Sequence, residues 1–381
     1  MIMYEIAVLG SPSRAQLADM ETGLQRVADV YHLTYGTDLR VLLKPVRFSP
    51  AQTCPAVAIF FGGPGETAAR VSDVLDPSAI TVIPVASNER SVGAEIPQGL
   101  QHLNCILYDA QGADRLVATV LECLGLLRRQ RRIFLSYRRN EARSAALQLF
   151  DALSARGFDV FLDTHGVPPA SDFQEVLWHK LCDVDVMVML ETPSYFSSRW
   201  TSEEYGRALA KNIGVLRVQW PDTTPSIYTQ TCSRVELIEA EVDPTSGALA
   251  NVAIDRISTQ LEQFRGLSHA VRRLGMTSQL QIAVERLGGT VLGVGPHLTM
   301  HVALPGGREL DVSPVVGIPD SSMLQEAIQR ANGRRAAVLY DHVGVMPTWN
   351  GHLEWLGKNI EGARWIRSAQ AAWDLAQWEA R

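Results

Sequence analysis

Through the first two thirds of the chain, short apolar runs bounded by glycine, proline or polar residues alternate with stretches of helical period, and no other feature restricts the fold as much. A run that is apolar at nearly every position suits a strand buried on both faces. Such strands assemble into parallel sheets covered by helices. Residues 6–9, 41–43, 57–61, 80–85 and 105–107 read as the strands of one α/β unit. A clearer series follows: strand 133–136, helix 143–155, strand 160–162, helix 173–181, strand 186–190, helix 201–211 and strand 215–218. Repeated βα units imply right-handed crossovers and an open, doubly wound sheet, with ligands bound outside the carboxyl ends of its strands. The loops after Ser136, Leu162 and Leu190 meet at that edge.

A chain of 381 residues holds two to three domains on length alone. The basic cluster Arg128, Arg129, Arg131 and Arg132 marks one boundary, and a change of pattern near Gly266, after the helical stretch 251–264, marks another. The divisions are therefore 1–129, 130–266 and 267–381. The last part predicts a smaller α+β domain: a hairpin region over 290–312 turning at Pro305-Gly306-Gly307, a helix over 321–331, a strand over 336–340 and terminal helices. Trp349, Trp355, Trp365, Trp373 and Trp378 crowd its end, as core packing or as an interface. Gly62-Gly63-Pro64-Gly65 fits neither a dinucleotide-binding fingerprint nor a P-loop and reads as a tight turn. The formal charge of -6 argues against a dedicated nucleic-acid binder. Five widely spaced cysteines with no Cys-x-x-Cys pair argue against a disulfide framework and a structural zinc site. No stretch approaches ~18 uninterrupted apolar residues, so no membrane is expected and a reducing cytoplasm is the expected location.

Three segments of the middle part carry the chemistry: Arg132-Ile-Phe-Leu-Ser-Tyr-Arg-Arg139, Gly157-Phe-Asp-Val-Phe-Leu-Asp163 and Ser197-Ser-Arg-Trp-Thr-Ser-Glu-Glu-Tyr205. In this order and spacing they resemble the TIR (Toll/interleukin-1 receptor) domain over about residues 131–266, closest to its NAD-cleaving members, bacterial anti-phage proteins among them. The resemblance implies a flavodoxin-like parallel sheet and cleavage of the nicotinamide-ribose bond of NAD+, which is the substrate, so that no cofactor and no metal is implied. It also implies an active glutamate four residues after a tryptophan, a spacing matched by Trp200 and Glu204. Ala170, where the family often has glycine, and Thr201, where it often has cysteine, depart from the pattern.

Nicotinamide leaves as a neutral molecule from a cationic nucleotide, so its departure needs no strong general acid. A carboxylate beside the ribose would stabilise the positive charge that develops on C1′ and the ring oxygen, the role expected of Glu204. A structural alternative is specific: Thr201-Ser-Glu-Glu204 has the form of a capping box, in which Glu204 only closes the helix start. Glu203 is expected to face solvent. Tyr137 could stack on a nicotinamide or adenine ring and Arg138 could reach a diphosphate; as structural residues they would be a half-buried tyrosine and a surface arginine. Asp163 could bind a ribose hydroxyl or fix its own loop. Trp200 is expected to pack under the helix and also to line the pocket.

The N-terminal part resembles the TIR family more loosely and lacks a Trp-x-x-x-Glu, so a degenerate unit with a regulatory or assembly role is expected there. The C-terminal part is expected to sense or bind a partner. Expected partners are NAD+, further copies of the chain through the TIR domains, and a phage- or nucleotide-derived trigger. The competing expectation is a scaffold without catalysis that acts through homotypic TIR association.

Overall fold

The computed structural model describes residues 3–51, 54–63, 65, 68–76, 79–162, 173–224 and 226–379. The chain forms two units, the first reaching to Arg129 and including Gly295–Leu298, the second made of Gln130–Val294 and Thr299–Arg381.

The first unit contains β1 (Tyr4–Gly10), α1 (Arg14–Val30), β2 (Leu39–Leu43), β3 (Ala56–Phe61), α2 (Ala68–Val74), β4 (Thr81–Ala86), α3 (Val92–Glu95), β5 (Ile106–Leu107) and α4 (Tyr108–Cys123). All five predicted strands occur, with ends shifted by about two residues at most. They form a parallel sheet in the order β2-β1-β3-β4-β5. α1 begins with the capping box of Ser13 and Gln16, which satisfies two backbone amides reciprocally.

The second unit opens with β6 (Arg132–Ser136), α5 (Arg139–Ala155), β7 (Asp159–Leu162), α6 (Phe173–Cys182), β8 (Val186–Glu191), α7 (Arg199–Ala210), β9 (Gly214–Gln219) and β10 (Ser233–Glu236). These strands are also all parallel, in the order β10-β9-β8-β6-β7. Counted from its first strand, this is the same order as in the first unit. Side chains alternate between the faces of each strand. Ile133 and Leu135 therefore join the core under α5, while Phe134 joins Leu177, Leu181, Tyr205 and Ala208 of α6 and α7. The sheet is doubly wound. β10 was not anticipated, because Ser-Arg-Val-Glu has no apolar run; it is an edge strand in which Val235 alone is buried.

α8 (Asn251–Arg286) continues through Gly266, where the change of sequence pattern marks no break in the helix. Its first half gives Ala253, Ile254, Ile257 and Leu261 to the core of the parallel sheet. Its second half gives Met276, Leu280, Ala283 and Val284 to another core. Between them α8 crosses the amino edge of the parallel sheet. Arg265 Nε lies 2.6 Å from Asp185 Oδ2 in a fully buried ion pair, the Ser268 hydroxyl donates to the Asp185 carbonyl at 2.6 Å, and Arg272 donates to the carbonyls of Val184 and Cys182 at 2.6 and 3.0 Å. A Cβ at Gly214 would stand 2.7 Å from Ser268 Cβ, so the close approach of helix and strand requires glycine there.

The last sheet comprises β11 (Thr290–Val294), β12 (Met300–Leu304), β13 (Arg308–Pro314), β14 (Arg335–Tyr340) and β15 (Ala363–Arg367), in chain order. Its first three strands are antiparallel and turn at residues 305–307 as predicted; β13, β14 and β15 are parallel, connected by α9 (Ser321–Ala331) and α10 (Pro347–Asn359). α11 (Ala371–Ala376) packs beside α8. The chain is thus α/β with two parallel sheets and a mixed one, each of five strands. Among the described residues no helix is long and apolar enough to cross a membrane.

Candidate functional site

In the parallel sheet of the second unit the strand order reverses between β6 and β8, whose connections leave on opposite faces. At such a switch point the carboxyl edge opens a crevice. Ser136 ends β6 there, 1 % exposed. α7 carries Thr201, Glu204, Tyr205 and Ala208 on its buried face, the i, i+3, i+4, i+7 spacing of one helix stripe. That stripe points Glu204 at the end of β6, where its Oε2 accepts a hydrogen bond from the Ser136 hydroxyl at 2.5 Å. Glu204 is 6 % exposed.

Ser136 Oγ also lies 2.6 Å from the hydroxyl of the fully buried Tyr195. Serine has one hydroxyl proton. With that proton donated to Glu204 Oε2, the tyrosine must be the donor to Ser136, and the chain runs Tyr195 to Ser136 to Glu204. Burial and then the nearby Glu204 charge hold the Tyr195 hydroxyl well above its ordinary pKa, so it keeps the proton it donates. The capping-box alternative does not hold. α7 starts at Arg199 with Ser198 at the cap position. Thr201 is already inside the helix, and its hydroxyl donates to the carbonyls of Tyr195 and Ser198 at 2.5 and 3.1 Å.

The remaining sequence candidates divide. Tyr137 is buried in the core cluster with Leu135 and Ala142, on the sheet face opposite Ser136 and Glu204. Arg138 stays at the edge, paired with Glu141 at 2.6 Å. Glu141 in turn accepts from the Ser194 amide at 3.3 Å, joining the loop after β6 to the loop after β8. Burial pushes the Glu141 carboxyl up, but the hydroxyls of Thr192 and Ser194, the Ser194 amide and Arg138 outweigh it and hold the group below the ordinary carboxylate range. Trp200 does not pack beneath the helix: it is 53 % exposed, because the buried stripe begins one residue later at Thr201. Glu203 pairs with Arg199 on the outer side at 2.7 Å. Asp163 lies outside the described residues.

Sequence reading missed the partners of Glu204. Ser136 stood inside a quoted motif without a role, and Tyr195 lies four residues past β8 with no pattern to single it out. It also missed a buried ion pair beside the site. Glu191 Oε2 and Arg217 Nε, from neighbouring strands, are 3.2 Å apart and almost wholly buried. The Thr229 hydroxyl accepts from Arg217 at 2.8 Å and donates to Glu191 at 3.1 Å, which ties the turn around residue 229 to the carboxyl edge.

Among curated proteins no sequence matches the chain. Solved structures with some likeness include a tagatose-6-phosphate ketose/aldose isomerase from Escherichia coli, 13% identical over 72% of this chain and 83% of that one, with a TM-score of 0.20. Another is the C-terminal domain of glucosamine-fructose-6-phosphate aminotransferase from Francisella tularensis, 9% identical over 71% and 85%, with a TM-score of 0.18. Overlaps this poor carry no argument about fold or chemistry. The family match is different in kind, since it covers the segment in which the motifs and the switch-point crevice coincide. Residues 133–244, from β6 past β10, match the family model of the TIR domain.

Proposed function

We propose that the chain is an NAD+ glycohydrolase whose TIR domain cleaves the nicotinamide-ribose bond, with Glu204 as the catalytic carboxylate. The observation that carries this reading is the buried Glu204 carboxylate, hydrogen-bonded to Ser136 at a switch-point crevice rather than spent on capping its own helix. Heterolysis leaves the bonding pair on nicotinamide and a cationic centre at C1′; Glu204 stabilises that centre and can orient the ribose hydroxyls. Water attack then gives ADP-ribose and a proton, and attack by a group of the same nucleotide gives a cyclised product. The Tyr195-Ser136 chain fixes the carboxylate before substrate arrives, so little reorganisation accompanies charge development. Arg138 is the candidate for the diphosphate. Trp200 and Asp163 are proposed as further substrate contacts, and Tyr137 as a contact only if its side chain leaves the core.

The proposed setting is bacterial anti-phage defence in the cytoplasm, with activation by assembly of TIR domains. Exposed Trp200 on α7 favours such association, as aromatic side chains dominate interface energetics. A scaffold that only self-associates is the second reading, and it draws on the same exposed surface. The flanking domains are proposed to control assembly, the N-terminal one as a degenerate unit and the C-terminal one as the sensor of a phage- or nucleotide-derived trigger. Incubation of purified protein with NAD+, with and without Glu204→Gln, tests the reading. Nicotinamide release that Glu204→Gln abolishes supports it; release at the parent rate by a normally melting variant overturns it.

A further inference from the structure

A cavity of about 360 Å³ lies inside the second unit, outside the carboxyl ends of β13, β14 and β15. The loops that follow these parallel strands supply Gly317, Asp341, Gly344 and Ser368 to its wall. The facing wall comes from the carboxyl-terminal ends of α6 and α7 and the middle of α8. Ligands of open α/β sheets bind outside the carboxyl ends of parallel strands. The volume falls in the lower part of the ~300–1,000 Å³ range of small-molecule sites.

The charge of the lining is one-sided: Arg207, Lys211 and Arg272 face a single carboxylate, that of Asp341. Two of these cations are set into the protein. The Lys211 side chain is 8% exposed with its Nζ 2.5 Å from Asp341 Oδ2, and Arg272 is 7% exposed and oriented by two main-chain carbonyls. Arg207 lies flat over the Trp178 ring at 3.7 Å, and among the described residues it makes no ion pair. Stacking uses the face of a guanidinium and leaves its N–H edge able to bind an anion in a bidentate manner. Gly317 and Gly344 both have positive φ, +91° and +80°, which lets the loops after β13 and β14 turn tightly at the cavity wall. Met276 and Val343 give the remainder of the wall an apolar surface.

We propose that this cavity binds a small organic phosphate of nucleoside-monophosphate size, with the phosphate held by Arg207 and Lys211 and the apolar part against Met276 and Val343. Arg207 is three residues from Glu204 on the same helix, so a ligand here bears directly on α7. That consequence rests on the proposed NAD cleavage; binding itself does not and is measured without it.

The test is calorimetric titration of the full chain, carrying Glu204→Gln to exclude turnover, with adenosine monophosphate, ribose 5-phosphate, inorganic phosphate and adenosine. At least one of the two organic phosphates should bind with one molecule per chain, more tightly than inorganic phosphate, and adenosine should not bind. Arg207→Gln, a change at an exposed position, should weaken that binding about tenfold or more while the chain still melts cooperatively, and Lys211→Met should weaken it as well. Absence of saturable binding by either organic phosphate up to about 10 mM would overturn the proposal. So would binding that Arg207→Gln leaves unchanged, since the ligand would then sit elsewhere.

Discussion

Two parallel sheets in this chain share one strand order, yet their carboxyl edges differ at the switch point. In the sheet of residues 132–236, β6 ends at Ser136 and the helix after β8 turns a buried glutamate toward it. In the N-terminal sheet, the corresponding strands β1 and β3 are sealed by backbone. The Ser11 amide donates to the Phe61 carbonyl at 2.9 Å. A Cβ at Gly62 would lie 2.8 Å from the Glu95 carbonyl oxygen, so the turn after β3 presses on α3 with no room for a side chain. Glu95 itself is engaged by the Ser87 amide and hydroxyl at 2.7 and 2.9 Å. The two sheets share one topology and differ in what stands at the switch point.

The largest expected effect would break the comparison outright. Glu204→Gln should lower NAD+ turnover by at least ~100-fold, the scale of losing an electrostatic contact to a developing charge, while thermal melting stays close to the parent. Next comes the buried pair of Glu191 and Arg217 at the edge of the second sheet. Arg217→Met leaves Glu191 charged and buried, and should destabilise the protein by about 3–5 kcal/mol in chemical denaturation. Replacing both members, Arg217→Met with Glu191→Leu, should recover much of that loss. On the N-terminal side, Gly62→Ala should cost about 1–3 kcal/mol by overpacking, with NAD+ turnover per folded molecule unchanged. A fall in turnover beyond the loss of folded protein would show that the sealed edge takes part in the chemistry.

Two smaller effects sharpen the contrast within the second unit. His179 accepts a hydrogen bond from the Met346 amide at Nδ1, 3.2 Å, and burial lowers its pKa below 6.5. Because the folded value is depressed, the unfolded chain binds the proton more readily. Stability is therefore complete above about pH 6.5 and declines as pH falls toward the folded value. Melting temperatures at neutral and mildly acid pH should show this loss, and His179→Gln should flatten it. Last, Trp200→Ala should change stability by no more than about 0.5 kcal/mol, given its exposure, while shifting the concentration dependence of activity upward. A large loss of stability would mean that the ring packs against something beyond its own domain.

Much of the fold was legible. Strands such as Val186–Glu191, buried at every position, leave a short apolar run, and its length and its flanking polar residues mark it as a strand rather than a buried helix. β10 was not legible, because an edge strand needs burial on one residue in two at most. The continuity of α8 was hidden for a different reason. Its buried residues include Arg265, His269, Arg272 and Arg273, and polar groups satisfied by a neighbouring sheet edge do not register as an apolar stripe. At the site, Glu204 stood out through its motif, but Tyr195 and Ser136 gain meaning only when β6 and the segment after β8 meet in space. Trp200 was misjudged by one helical position, which on a helix is the difference between inside and outside.

α8, with 36 residues, is about 54 Å long. Because one continuous helix supplies side chains to two cores, it fixes their angular phase as a shaft fixes two gears. Inserting one residue between Arg272 and Met276 would turn the second set of side chains by ~100° relative to the first, so that Leu280 and Val284 would face away from the sheet they now fill. Insertion of seven residues, close to two full turns, would preserve the angle and only lengthen the shaft. Length changes in this segment are therefore tolerable only in near-whole turns, and any torque on the C-terminal sheet is delivered to the amino edge of the TIR domain at Arg265, Ser268 and Arg272.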